Sequence, residues 1–299
     1  MECERPVTIH DPSKHVFLDK YGTDLNVIQV PCGKCPACQQ NRRLAWFYRL
    51  KVESNNCVSS YVVTLTYNEL DLPEAITDDE FSILYHPIRY SDVQGFNKRL
   101  RKRIGPFRFF AVCEYGSEHL RPHYHICYFF DHAQDYMQFS DAVFGNWFPQ
   151  TRITIDTTND KACNYILKYC LALIDPEVPD CFRPMIRCSN RPYIGYQLGE
   201  DPEIVQWFID HESDLSHYCG YQQRLPRIYR DKFFDDVIKR RIKKNLGQLI
   251  NERAEEKLQK QISYDCKHGT DIFRPSLHEM SRSQFNSKVL SMAKLKSLK

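Results

Sequence analysis

The sequence predicts an α+β fold: an antiparallel sheet flanked by helices, with a Cys-rich N-terminal segment before it and a helical C-terminal extension after it. Three observations carry this. Tyr61–Tyr67 (YVVTLTY) is an unbroken β-branched and aromatic run, which suits a pleated strand. Phe107–Tyr115 and Pro122–Phe130 are two more such runs separated by GSEHLR, a spacing that folds them into an antiparallel hairpin. Gln39–Val52, Ser91–Arg103 and Asn159–Leu173 are free of proline and rich in helix formers. Strands and helices in this order, with antiparallel connections, argue against a Rossmann-type sheet. The expected units are residues 1–58 (Cys-rich segment and helix), 59–200 (sheet domain) and 201–299 (basic, mostly helical extension).

Bulk composition narrows the class less than the motifs do. A chain of 299 residues can build one large core or two modest ones. A net charge of +3 says little about an acidic partner, so the distribution of charge matters more. The 18 Tyr and 18 Phe mostly serve the core, with some available to stack on bases. No run of about 18 apolar residues is present, so no membrane-spanning helix is expected. The opening MECERPVTIHDPSKH lacks the apolar stretch of a secretory signal. Thirteen cysteines without such a signal point to a reducing compartment and to free or metal-bound thiols.

Alternate residues of a strand share a face. In PHYHICYFF that puts His123, His125, Cys127 and Phe129 on one side, and Tyr124, Ile126, Tyr128 and Phe130 on the other. If Tyr115 sits opposite Pro122, Glu114 falls opposite His123 on the same face. Two imidazoles and a carboxylate leave coordination positions open, the arrangement of a catalytic metal.

At 3.6 residues per turn, Lys161, Tyr165, Lys168, Tyr169 and Ala172 form one stripe of the helix over residues 159–173. Cys163, Ile166, Leu167, Cys170 and Leu171 lie on its apolar side, which leaves the two tyrosines off the core. A tyrosine hydroxyl ordinarily titrates near 10, so it needs a cation, base or metal to act as a nucleophile.

Cys32, Cys35 and Cys38 repeat at a three-residue interval, with Cys3 as the fourth thiol; four thiolates suit a structural Zn2+. A ferredoxin-type cluster would need a further Cys at the position of Arg42. Two basic stretches offer contacts to a phosphate backbone. The first holds Lys98, Arg99, Arg101, Lys102 and Arg103. The second, Arg224–Lys244, has nine Lys/Arg against three Asp and includes Arg224, Arg227 and Arg230.

The order of segments resembles the HUH endonucleases of rolling-circle replication: a strand like YVVTLTY, a His-hydrophobic-His strand (here HYH) and a helix with one or two tyrosines. Closer still is the resemblance to replication initiators of gokushoviruses, the small single-stranded DNA phages of the microvirus group. It is carried by PCGKCPAC (Pro31–Cys38), EYGSEHLRPHYH (Glu114–His125), NYILKYC (Asn164–Cys170), SNRPYIG (Ser189–Gly195) and LPRIYRDK (Leu225–Lys232), and covers roughly residues 1–235. The resemblance implies that His123, His125 and Glu114 hold Mg2+ or Mn2+ and that Tyr165 or Tyr169 attacks the scissile phosphate, with Lys168 assisting. A 5′-phosphotyrosine would form, and the freed 3′-OH would be extended by host DNA polymerase with a host helicase. The second tyrosine would later help rejoin the ends. The partner is then a phage origin, single-stranded or supercoiled, and the place of action the bacterial cytoplasm, with no membrane.

Two other readings compete. A cupin-like metalloenzyme would place a Glu a few residues after the second His, and ICYFFDH has none. A non-enzymatic zinc-containing DNA-binding protein would keep the cysteine cluster and bury the tyrosines in its core.

Overall fold

In the computed structural model the described residues are 3, 5–10, 26–78, 83–116, 121–147, 153–157, 184–218 and 221–268. β1 (Val7–His10) and β2 (Val27–Val30) pair as a small antiparallel arm. α1 (Pro36–Asn56) leads into β3 (Ser59–Thr66), and β4 (Ile76–Asp78) pairs with β5 (Ile83–Tyr85). Then come α2 (Tyr90–Ile104), β6 (Arg108–Tyr115), β7 (Pro122–Phe130), α3 (Tyr136–Phe144), β8 (Thr154–Thr157) and β9 (Met185–Cys188). A 3-10 turn (Tyr196–Gly199) precedes α4 (Pro202–Asp210), the hairpin of β10 (Leu215–Tyr218) and β11 (Tyr221–Arg224), α5 (Arg227–Phe233) and the long α6 (Asp236–His268). The helix expected over Asn159–Leu173 lies outside the described residues.

Five strands form the main sheet in the order β8-β3-β7-β6-β9, and every neighbouring pair is antiparallel. The strand with both histidines is therefore the central one. Strand alternation divides its side chains between two cores. Tyr124, Ile126, Tyr128 and Phe130 join Val63, Leu65 and Ala111 against Val93, Phe96 and Leu100 of α2 and Phe139 and Val143 of α3. On the opposite face Val62, Phe110, Val112, Cys127 and Phe129 pack on Leu50 of α1 and on Ile194. Buried polar groups on the first face find partners. The Tyr128 hydroxyl donates to Asn97 Oδ1 at 2.7 Å, and the Trp147 indole N–H to the Thr66 carbonyl at 2.9 Å.

α1 begins three residues before the expected Gln39, because Pro36 occupies the first turn and Cys35 is the N-cap. Proline is preorganised there and lacks an N–H that would in any case have no partner inside the helix. Cys35 and Cys38 thus belong to a helix start rather than to a free turn.

A buried carboxylate ties the layers together. Glu53 of α1 is wholly buried and accepts hydrogen bonds from Arg108 Nε, the Gly195 N–H at 2.6 Å and Gln197 Nε2 at 3.2 Å. Arg108 also grips Asp131, just past β7, through two guanidinium nitrogens. Gly195 has φ +77°, and a Cβ there would lie 2.4 Å from the Tyr229 hydroxyl and 2.8 Å from the Arg49 carbonyl oxygen. Both the left-handed backbone and the close approach call for glycine. Gly195→Ala is expected to destabilise the fold by about 2–4 kcal/mol. Urea unfolding checks this, and a loss below about 1 kcal/mol would mean that the turn relaxes freely.

Candidate functional site

The hairpin of β6 and β7 pairs Tyr115 with Pro122 and Glu114 with His123, the register expected from sequence. The Glu114 carboxylate nevertheless reaches diagonally: its Oε1 lies 3.2 Å from Nε2 of His125. Diagonal neighbours across a ladder are within reach of long side chains. The other ring nitrogen of His125, Nδ1, is 3.0 Å from Thr64 Oγ1, because β3 pairs with β7 so that Thr64 faces His125. His125 is only 6% exposed, so its ring is held between a hydroxyl and a carboxylate on the central strand. Partners of this kind fix the tautomer and orientation of a metal-binding imidazole.

His123 is half-buried, and its Nδ1 is a buried nitrogen without a hydrogen-bond partner among the described residues. The ring lies against Gly116, where a Cβ would come within 2.5 Å of Nε2. Gly116 closes the hairpin by donating its N–H to the Arg121 carbonyl at 2.8 Å. Burial, then the neighbouring His125 and Arg121, push the His123 imidazole below its usual pKa. A neutral imidazole keeps a lone pair free for a cation. The Arg121 guanidinium itself is 2.8 Å from Glu69 Oε1. Among the described residues, the donors of Glu114, His123 and His125 do not gather into one group as the four cysteines do.

Tyrosine is abundant here, but those of the sheet are committed to the core. Tyr124 points to the opposite face from the histidines; its hydroxyl meets that of Tyr67 at 2.8 Å and accepts from the Arg89 N–H at 3.1 Å. Tyr67 also donates to Asp92 Oδ2 at 2.8 Å, and burial pushes both phenols well above their usual range. Such groups are poor nucleophiles. Tyr165, Lys168, Tyr169 and Lys161 lie outside the described residues.

Cys3, Cys32, Cys35 and Cys38 bring their sulfurs within 4.8 Å of one another, all four as free thiols. Such a group can hold a structural metal such as zinc. Of the other cysteines, Cys113 and Cys127 are buried in the sheet as small hydrophobes.

The two basic stretches sit differently from one another. The tail of α2 leads through Gly105 into the start of β6, while Glu114 lies near its far end, about 20 Å away at 3.3 Å per residue. Lys98, Lys102 and Arg103 are exposed there. Arg99 donates to the Asn146 carbonyl, Arg103 to the Asp141 carbonyl, and Arg101 lies over the Phe107 ring. In the second stretch Arg224 and Arg230 both face the buried carboxylate of Asp214, at 2.6 and 3.6 Å. A buried charge demands such partners, so these guanidiniums are engaged within the fold. Arg227 stays 86% exposed beside Asp231. Thr64, Gly116 and Arg121 went unselected in the sequence. The pairing of β3 with β7 is what reveals Thr64, and the turn at the hairpin end reveals the other two.

Residues 60–173 match the family model for the replication-associated protein ORF2. The chain is 23% identical over 288 residues to the replication-associated protein ORF2 of Spiroplasma virus 4, covering 85% of this chain and 89% of that protein. It is 29% identical over 105 residues to the replication-associated protein ORF4 of Chlamydia phage 1, covering 33% of this chain and 24% of that relative. The crystal structure of the hypothetical protein ORF119 from Sulfolobus islandicus rod-shaped virus 1 overlaps 44% of this chain and 97% of its own at 16% identity. Its TM-score of 0.27 is too low to compare sites.

Proposed function

We propose that this homologue of the replication-associated proteins of gokushovirus-type microviruses starts rolling-circle replication by nicking one DNA strand at a phage origin with a tyrosine. The observation that carries the reading is the end of the central hairpin. There the Glu114 carboxylate meets His125 at 3.2 Å, and the buried Nδ1 of His123 has no partner among the described residues. This donor set fits a divalent cation, and Glu114, His123 and His125 would hold Mg2+ or Mn2+. Bound there, the ion would polarise the scissile phosphate as a Lewis acid.

The remaining work falls to the chain. The hydroxyl oxygen of Tyr165 or Tyr169 would bond to phosphorus as the bond to the 3′ oxygen breaks; that oxygen takes a proton and leaves as a free 3′-OH. Lys168, one turn from Tyr165, would neutralise the phosphate. The second tyrosine would cut after a round of synthesis, and the released 3′-OH would then displace the first to rejoin the ends. Thr64 would hold the His125 ring, and Arg121 would offer a cation to the DNA backbone beside the site. A strand running on to Lys98 and Lys102 would have to cross about 20 Å, roughly six nucleotides at 3.4 Å each. Residues 59–200 would carry this chemistry, and host polymerase and helicase would act on the nicked origin.

Incubation with an origin-containing single-stranded oligonucleotide and Mn2+, followed by a denaturing gel, tests the reading. A covalent adduct is expected that disappears with EDTA, returns with excess Mn2+ and is absent from the Tyr165→Phe/Tyr169→Phe double variant. An adduct that survives in the double variant would sink the tyrosine mechanism. DNA binding without adduct on any origin sequence would favour the non-enzymatic reading.

A further inference from the structure

We propose that Cys3, Cys32, Cys35 and Cys38 form a structural Zn2+ site that fastens the N-terminal arm to the start of α1, a role separate from the nicking chemistry. Four sulfurs placed tetrahedrally 2.3 Å from zinc are about 3.8 Å apart. The Sγ atoms of Cys3 and Cys35 are separated by 3.8 Å, and all four sulfurs lie within 4.8 Å. The backbone is arranged for anionic sulfur: the Cys32 N–H donates to Cys3 Sγ at 3.2 Å, and the Cys35 N–H to Cys32 Sγ at 3.3 Å. Cys35 is the N-cap of α1 and Cys38 lies in its first turn, where the positive end of the helix favours thiolate. That turn has no acidic residue, and the N-cap makes no side-chain hydrogen bond, so negative sulfurs supply the missing complement. Gly33 makes the bend between Cys32 and Cys35 at φ +74°, with open space where a Cβ would be; the backbone alone calls for glycine there.

The arm also has little else to hold it. Among the described strands β1 and β2 pair only with each other, and Val7, Ile9 and Val27 are exposed. The apolar cluster at this end consists of the four cysteines and Ala37. So small a core needs a staple, and the binding energy of a structural metal is folding energy. Donor chemistry keeps the two metal sites distinct: four soft sulfurs select zinc, whereas a carboxylate site accepts Mg2+ or Mn2+.

Metal analysis of the full-length chain, made in zinc-supplemented cells and dialysed against Mg2+, tests the proposal. About one Zn2+ per chain is expected, and replacement by Co2+ should give the charge-transfer and ligand-field bands of a tetrahedral thiolate site. Cys3→Ser should lose most of its zinc, while Cys57→Ser keeps all of it. A strong zinc chelator should lower the unfolding midpoint of the wild type and leave that of Cys3→Ser unchanged. Four free thiols without zinc, a Cys3–Cys35 disulfide, bound iron, or undiminished zinc in Cys3→Ser would each overturn the site. Should Cys3→Ser fail to fold, the Co2+ spectrum of the wild type decides.

Discussion

Replacing His125 with Ala is expected to lower adduct formation on origin DNA by about a thousandfold, equivalent to about 4 kcal/mol of transition-state stabilisation. The residue sits on the central strand, 6% exposed, with one ring nitrogen on Thr64 and the other facing Glu114. Its removal takes away a proposed metal ligand and leaves the carboxylate without the imidazole that positions it. Thr64→Val, which touches only the orientation of the ring, should cost about tenfold and be rescued in part by excess Mn2+. Circular dichroism and the unfolding midpoint separate a lost site from a lost fold. Adduct yield within tenfold of wild type in a folded His125→Ala protein would remove His125 from the chemistry.

Glu53→Ala should be the most destabilising single change in the sheet domain, by about 3–5 kcal/mol, the typical cost of removing one partner from a buried ion pair. It leaves the Arg108 guanidinium, 7% exposed, with Asp131 alone and strips the Gly195 N–H of its acceptor. The double variant Glu53→Leu/Arg108→Met removes both buried charges and should recover a large part of the loss. Urea unfolding of the set checks this. A Glu53→Ala protein within about 1 kcal/mol of wild type, or a double variant worse than the single, would show that the network does not hold the layers together.

Much of the candidate site could be read along the chain because its parts are local. The His pair, its alternation with Tyr124 and the Glu114 register all belong to one hairpin, in which short-range pairing follows from two β-prone runs and a short connection. The same locality shows Cys32, Cys35 and Cys38 together. Thr64 escaped notice because nothing near YVVTLTY says which strand it will pair with; its partner lies 61 positions away. Arg224 and Arg230 read as surface cations, since their distance from the buried Asp214 depends on how α5 packs against the hairpin of β10 and β11.

By itself the sequence determined which residues alternate, which face each histidine takes relative to Tyr124, and which thiols stand at metal-ligand spacing. These follow from the periods of strand and helix, which are properties of a few consecutive residues. Only the tertiary structure decided that the His strand is central, that Thr64 and Glu114 hold His125 between them, and that the α2 cations stand at the far end of the sheet from it. It alone brought Cys3 to the other three cysteines. Those outcomes join distant segments, and their pairing is chosen by burial of the whole sheet rather than by any local pattern.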